Sequence, residues 1–247
     1  MHMKSLDQGL IVDQETVRQL MLILDPIGVM QRKRRRLNRR MYFNTGPNYT
    51  WHIDSNDKLK PYGIVINGCS DGFSRLIVWC KPQGNGKAAS VTNHFIKAIQ
   101  CRSGCPTIVR TDMGVENGIV QAMQKFLRRN HNDSRSGNNS VICGDSRLNQ
   151  RIESWWNILR KQSLQFWIDL FQQMIQDGIF QATFLTKLGT LLLFEIIQAD
   201  LDSVVSVWNK HRIRKSANTP LPSGKPAVLY SLPHLYGYEE NCVMQTQ

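Results

Sequence analysis

Hydrophobic and polar positions follow a strand-like pattern from residue 50 onward. The runs "TWHIDSNDKL" (50–59), "YGIVINGCS" (62–70) and "RLIVWCK" (75–81) are rich in β-branched and aromatic residues. The Asp71-Gly72 pair between the last two runs is a strong signal for a hairpin turn. The pattern therefore predicts three consecutive strands, with a structural role for Asp71.

Helical and strand-like segments alternate after these runs. Apolar residues at helical spacing predict helices over 88–100, from about Val115 to Arg128, and over 148–162. The short apolar stretches "PTIVRTD" (106–112) and "SVICG" (140–144) lie between them and predict two further strands. The resulting order is βββαβαβα, which predicts an α/β fold.

The regions before and after this α/β core are predicted to be helical or irregular. A short amphipathic helix is expected over 12–28, capped by Asp13 and ending at Asp25-Pro26. The chain after the core reads as helical until Asn209, and a tail rich in Pro and Gly is expected to pack along a surface. The predicted organisation is a helix at 1–30, a basic linker at 31–47, a core at 48–165, and a helical extension with the tail at 166–247.

Net charge narrows the class of partner. The chain carries 31 Lys and Arg against 19 Asp and Glu, a net charge of +12. Such an excess favours a polyanionic partner, either nucleic acid or an acidic membrane surface.

The most apolar stretch, 184–201, contains Lys187 and Glu195, so it predicts a buried helix and no membrane span. Six scattered cysteines in a chain of this length predict reduced thiols in an intracellular compartment.

The basic charge is densest in "QRKRRRLNRRMYF" (31–43), where seven of the nine residues from 32 to 40 are Arg or Lys. This segment could be a solvated linker, an arm that follows DNA phosphates, or a nuclear import signal. A functional role is favoured because so many like charges repel one another without an anion nearby. The candidate DNA-binding residues here are Arg32, Lys33, Arg34, Arg35, Arg36, Arg39 and Arg40.

Three acids stand at positions where chemistry is expected. Strand alternation places Asp54 on the same side as His52 and turns Asp57 to the opposite side. Asp112 follows a buried strand, and ligands gather at the carboxyl ends of strands in α/β sheets. Glu153 lies at the boundary of the apolar face of the last core helix, where an acid is poorly solvated unless a cation compensates it.

Each acid also has an ordinary structural explanation. Asp112 could cap the following helix, and Glu153 could pair with Arg151 or Arg160. Taken singly, such roles are the more common ones. Taken together, the three acids lie on the first strand, at the end of the fourth and on the helix after the fifth, an arrangement that converges in space.

The blocks that carry these acids have the forms WHIDxNxKL, RxDxGxEN and NQRIExxW, and a late segment reads "WNKHRIRKSANTPLPSGKPAVLY" (208–230). As a set they resemble the catalytic core of the retroviral integrase and DDE transposase superfamily, more specifically the eukaryotic transposon-derived integrase-core proteins. The resemblance covers residues 42 to about 230. It implies an RNase H-like fold, a five-stranded mixed sheet with helices on both faces.

The resemblance also implies an activity. Asp54, Asp112 and Glu153 would be the metal-binding and catalytic triad, holding two Mg²⁺ or Mn²⁺ ions. The substrate would be a DNA phosphodiester, attacked by water or by a 3′-hydroxyl. Without metal, the three carboxylates would repel one another and one would tend to hold a proton. Members of this family generally need at least a dimer to hold two DNA ends.

The helix that carries Glu153 offers further candidates. Polar side chains within one or two turns of the acid could touch DNA near the metals, whereas Trp155 and Trp156 are expected in the core rather than stacked on bases. The expected DNA-contacting residues here are Asn149, Asn157, Arg160 and Lys161.

Three functions remain open from the sequence. The leading one is a metal-dependent DNA strand transferase in the nucleus, or its host-retained descendant. The second is a DNA- or chromatin-binding protein that keeps the fold but no longer cuts DNA, and the third is a structure-selective nuclease.

The 12–28 helix resembles the last helix of a helix-turn-helix, which suits a transposase-type DNA-binding protein. The gap between Asp112 and Glu153 exceeds the usual retroviral one, and the 131–139 loop can absorb the difference.

Overall fold

The computed structural model describes residues 9, 11–34, 41–84, 88–145, 148–178, 189–216 and 219–244. It divides into two compact units, Met1–Tyr42 and Phe43–Gln247.

The first unit contains two helices where one was predicted. Helix α1, Gln14–Leu24, begins at Asp13, whose carboxylate accepts a hydrogen bond from the Thr16 backbone N–H at 2.8 Å, as the sequence predicted. Asp25 leaves the helical conformation (φ −142°, ψ 64°), and helix α2 then runs over Pro26–Arg34. The first helix ends at Asp25-Pro26, as predicted, because proline disfavours the helical conformation of the residue before it. The second helix was not predicted.

The second unit is built on a five-stranded mixed sheet in the order β3-β2-β1-β5-β6. Strands β1 and β2 pair antiparallel, as do β2 and β3, whereas β1 with β5 and β5 with β6 pair parallel. This arrangement confirms the predicted RNase H-like sheet. A separate antiparallel pair joins β4 and β7. The strands are β1 Thr50–Asn56, β2 Val65–Asp71, β3 Ile77–Gln83, β4 Gly104–Cys105, β5 Ile108–Thr111, β6 Val141–Cys143 and β7 Val243–Met244.

Helices cover both faces of this sheet. One core cluster joins Trp51 and Ile53 of β1 to Phe95 of α3 and Val120 of α4, and the other joins β2 and β3 to α5, α6 and α7. The prediction of helices on both faces is therefore confirmed. A π-helical turn, Arg160–Leu164, links α5 to α6. The helices are α3 Ala88–Arg102, α4 Gly118–Leu127, α5 Gln150–Leu159, α6 Gln165–Gln176, α7 Gly189–Lys210 and α8 Pro226–Ser231.

The helical extension closes the free edge of the sheet. Asn209 of α7 accepts a hydrogen bond from the Ile77 N–H at 2.9 Å and donates one to the Ile77 carbonyl at 3.2 Å, as a neighbouring strand would. Ile197 and Leu201 are fully buried, as expected for this helix, although 184–188 lie outside the described residues. No helix in the described part of the chain has the length and hydropathy that crossing a membrane requires.

Asp71 has the structural role that the turn signal predicted. Its buried carboxylate accepts hydrogen bonds from the backbone N–H groups of Asn48 and Ser74 and from the Ser74 hydroxyl, at 2.7 to 2.8 Å. The acid thereby ties the β2–β3 turn to the segment that precedes β1.

Candidate active site

Asp54 and Glu153 lie on the same cavity, although they are 99 positions apart in the sequence. The cavity has a volume of about 300 Å³ and is lined by β1, the residues that follow it, and helix α5. Asn157 and Arg160, which follow Glu153 along the chain, also line it. The structure therefore brings two of the three predicted acids together and adds a cation and an amide. The remaining lining residues are Ser55, Asn56, Asp57, Lys58 and Trp156.

The Asp54 carboxylate is held by an indole. Trp156 donates a hydrogen bond from Nε1 to Asp54 Oδ2 at 2.8 Å, and both residues are buried. Gly68 pairs with Asp54 across β1 and β2, and a Cβ at Gly68 would lie 2.7 Å from Cη2 of Trp156. Glycine is therefore required there because the indole passes directly over the strand. Trp156 is in the core, as predicted, and its indole N–H also positions the Asp54 carboxylate.

A second buried contact fixes the start of α5 against β1. Asn149 donates from Nδ2 to the Ile53 carbonyl at 3.0 Å, and its Oδ1 lies 2.6 Å from His52 Nδ1. Because the amide nitrogen already donates, Oδ1 accepts the Nδ1–H of a neutral His52. Burial lowers the pKa of His52 to about 3, which keeps the ring neutral. This pair sets the position of Glu153, four residues beyond Asn149, relative to Asp54.

Asp112 lies at the end of β5, as predicted. Its Oδ1 accepts hydrogen bonds from the Gly114 N–H at 3.0 Å and from Asn117 Nδ2 at 2.8 Å. The described residues provide no donor to Oδ2. One oxygen thus stabilises the turn before α4, a role that the sequence left open, and the other is available to a ligand.

The three acids influence one another electrostatically. Burial raises the pKa of Asp54 to about 7, opposed by hydrogen bonds from Trp156 and Ser55 and reinforced by the charges of Asp112 and Glu153. Burial and the charge of Asp112 also raise the pKa of Glu153. In the absence of a cation, Asp54 therefore tends to hold the proton that was expected on one of the three acids.

The acids are not gathered as tightly as the sequence led us to expect. Asp112 does not line the cavity that Asp54 and Glu153 share. Within the described ranges, no group of three or more His, Cys, Asp or Glu side chains is arranged to hold a metal ion.

The structure separates the candidate DNA-contacting residues. Asn157, Arg160 and Lys161 are exposed, and the first two line the cavity. Asn149 is only 1% exposed and uses its amide inside the protein, so its placement argues against the DNA contact that we expected. For Arg32, Lys33 and Arg34 of the basic segment, the helical backbone is described but the side chains are not. The basic-segment residues Arg35, Arg36, Arg39 and Arg40 lie outside the described residues.

Strand alternation was misleading at one position. Asp57 was expected to face away from Asp54, yet it lines the same cavity and forms an ion pair with Lys60 at 2.8 Å. Alternation fails here because β1 ends at Asn56 and the chain then turns.

Trp156 and Gly68 were not recognised as site residues from the sequence. The glycine inside a strand was the available signal, since such a glycine often marks a close approach.

Solved structures with a similar chain path include retroviral integrase cores. The HTLV-2 integrase catalytic core domain in complex with magnesium is 13% identical, with a TM-score of 0.46, covering 76% of this chain and 99% of that one. The catalytic core domain of BIV integrase is also 13% identical, with a TM-score of 0.48, covering 78% and 99%. No curated protein matches the chain.

The five-stranded mixed sheet and the three acids, on β1, directly after β5 and on α5, lie within residues 50–159. A family model described as "Integrase core domain" matches residues 41–230, which include the whole five-stranded sheet, the acid cavity and most of the helical extension. The chain therefore belongs to the integrase core domain family.

Proposed function

We propose that the protein is a metal-dependent DNA strand transferase or endonuclease of integrase or transposase type, acting on DNA phosphodiesters. The observation that carries this proposal is the shared cavity of Asp54 and Glu153, two acids from distant parts of the chain. Their electrostatic coupling to Asp112 supports a common role for all three. Membership of the integrase core family is consistent with this chemistry.

The donor set suits Mg²⁺ or Mn²⁺. Such hard cations prefer carboxylate oxygens, and Asp54 and Glu153 present theirs to one cavity while Asp112 keeps Oδ2 open. When bound, two ions would activate the attacking oxygen and stabilise the leaving one. Trp156 would orient the Asp54 carboxylate through its Nε1–H. Binding of the cation would also displace the proton that Asp54 tends to hold near neutral pH.

DNA would approach through the exposed residues of the same cavity. Arg160 and Asn157 stand beside Glu153 and would contact phosphates, which fixes the register of the duplex without reading its sequence. The basic segment at 31–47 would also bind DNA phosphates and direct the protein to the nucleus. A homo-oligomer, at least a dimer, would be required to hold two DNA ends.

The proposal is tested with purified protein, Mn²⁺ or Mg²⁺, and a labelled DNA duplex. We expect nicking or joining of the DNA that stops when the metal is chelated. The Asp112→Asn variant should lose this activity and still bind DNA. The matched control is Asp57→Asn, which removes an acid of the same cavity that is already paired with Lys60. Equal activity of Asp112→Asn and the unaltered protein would remove the triad from the mechanism.

A second candidate function is a catalytically silent DNA- or chromatin-binding protein that retains the fold. The observation in its favour is that the described acids do not form a three-carboxylate metal cluster. Such a protein would bind DNA with the same affinity with and without Mn²⁺, and Asp112→Asn would change nothing. The same nicking assay therefore separates the two candidates.

A further inference from the structure

A second cavity lies away from the acids, between the end of α7 and the short helix α8. Its volume is about 680 Å³, more than twice that of the acid cavity. Arg212, Lys215 and Lys225 line it together with apolar residues, Gly224, Ser223 and the ring of Tyr236. None of the described residues that line this cavity is an acid. It is thus a cationic recess that the proposed chemistry at Asp54 and Glu153 does not use.

The backbone around the recess places two of the cations at opposite positions. Ile213 and Gly224 form an isolated antiparallel bridge with two hydrogen bonds, Ile213 N–H to Gly224 O at 2.9 Å and Gly224 N–H to Ile213 O at 3.1 Å. Arg212 and Lys225 are the residues next to this bridge on either side, so they stand opposite each other. Residues in such a non-hydrogen-bonded position bring their side chains close together.

This juxtaposition is unfavourable in the free protein. Like charges directly opposite one another on paired strands are destabilising. Neither cation, nor Lys215, forms an ion pair within the described chain. An anion from outside the molecule would convert this repulsion into attraction at every one of the three positions.

Packing and hydrogen bonds fix the backbone that surrounds the recess. Leu221 and Gly224 are buried beneath it, and a Cβ at Gly224 would lie 3.0 Å from the Tyr236 hydroxyl and 3.2 Å from Leu229 Cγ. Arg75, at the β2–β3 turn, donates a hydrogen bond from Nη2 to the Pro222 carbonyl at 2.8 Å. The cations therefore stand on a loop that is tied to the sheet, which lowers the entropic cost of binding a ligand.

We propose that Arg212, Lys215 and Lys225 form a second DNA-binding surface that grips backbone phosphates outside the acid cavity. The inference rests on the proposed function, because it takes DNA as the substrate. The phosphodiester backbone is the anion that suits three separate cations in one open recess, and it agrees with the net charge of +12. A site of this kind positions DNA and contributes no sequence preference.

The first test compares two full-length variants with the same change in charge. One carries Arg212→Gln, Lys215→Gln and Lys225→Gln, and the matched control removes one cation on α3, one on α4 and one just after α4. DNA affinity is measured by fluorescence anisotropy of a labelled duplex across a salt series. Each phosphate contact contributes about 0.9 to the slope of log affinity against log salt, so the recess variant should lose roughly 2 to 3 from this slope. The control substitutions are Lys97→Gln, Lys125→Gln and Arg129→Gln.

When salt rises fourfold, from about 50 to 200 mM, a slope that is smaller by 2 to 3 means that the recess variant loses roughly 16- to 64-fold less affinity than the unaltered protein. The control should keep the slope of the unaltered protein to within about 1. Equal slopes for the recess variant and the unaltered protein would overturn the inference. A thermal melt excludes misfolding, since removal of the opposed charges should leave the melting temperature unchanged or raise it.

The second test needs no variant. Acetylation of lysines in the full chain is mapped by mass spectrometry with and without duplex DNA. DNA should protect Lys215 and Lys225 and leave Lys97 reactive. Protection of Lys97 alone, or of none of the three, would contradict the recess as a contact surface. Failure of metal-dependent nicking with protection intact would reject the proposed chemistry and leave the recess standing, whereas nicking without protection would do the reverse.

Discussion

The hydrogen bond from Trp156 to Asp54 should control metal affinity. Replacing Trp156 by Phe keeps an aromatic ring in the core but removes the Nε1–H that lies 2.8 Å from Asp54 Oδ2. This bond favours the ionised carboxylate, which is the form that binds a cation. Its loss would raise the pKa of Asp54 further above its usual range, so that a proton competes more strongly with the metal.

The magnitude follows from the burial of the pair. Trp156 is 6% and Asp54 7% exposed, so water replaces the lost donor poorly. A hydrogen bond to a charged group contributes about 1.5 to 3 kcal/mol, and 1.4 kcal/mol is about tenfold in binding. We therefore expect Trp156→Phe to bind Mn²⁺ about 10- to 100-fold more weakly at about pH 7, the range found for residues that support a metal ligand. The difference should narrow as pH rises, because the carboxyl then ionises in both proteins.

The assay is a titration of Mn²⁺ followed by electron paramagnetic resonance at several pH values. Trp155→Phe is the matched control, since it makes the same truncation at the neighbouring buried position, where the ring contacts Trp208. Gly68→Ala should weaken Mn²⁺ binding by displacing the indole, whereas Gly118→Ala, where a Cβ has open space, should not. Equal Mn²⁺ affinity of Trp156→Phe and the unaltered protein, or equal losses in both tryptophan variants, would refute the reasoning.

Two further predictions concern stability. The pKa of His52 is 6.5 in the unfolded chain and about 3 in the folded protein, so the unfolded state binds more protons between these two values. The free energy of unfolding therefore decreases as the pH is lowered through this range. Relative to His52→Asn, the unaltered protein should lose about 1.4 kcal/mol per pH unit below pH 6.5 in urea unfolding, with a constant difference above about pH 7. The comparison with the variant is needed because Asp54, with its raised pKa, acts in the opposite direction. Asp133→Ala should lower the free energy of unfolding by about 1 to 2 kcal/mol, because fully buried Arg128 loses its 2.6 Å ion pair with a half-exposed partner. An unchanged urea midpoint would show that this pair contributes nothing.

The strands and the order of elements could be predicted because they depend on local patterns. Runs rich in β-branched and aromatic residues identified β1 to β3, and helical spacing identified α3, α4 and α5 close to their observed ends. The Asp71-Gly72 turn and the Asp13 cap were also readable, since each involves residues a few positions apart. The end of the first helix at Asp25-Pro26 was readable in the same way, but the helix Pro26–Arg34 was missed because residues from 31 onward were assigned to a basic linker.

The candidate site was only partly predictable. The sequence blocks pointed to Asp54, Asp112 and Glu153, and the structure places two of them on one cavity. Asn149 was expected to touch DNA because it lies one turn from Glu153. Its amide instead bonds to residues 96 and 97 positions away, a contact that no local pattern reveals.

The sequence by itself determined which residues form strands and helices and which acids are candidates for chemistry, because periodicity and short blocks depend on near neighbours. The tertiary structure decided which side chains meet. The register of β1 against β2 sets Gly68 opposite Asp54, the packing of α5 brings Trp156 over both, and one bridge sets Arg212 opposite Lys225. These contacts arise because distant segments bury their apolar faces against one another, and that packing fixes the polar groups between them.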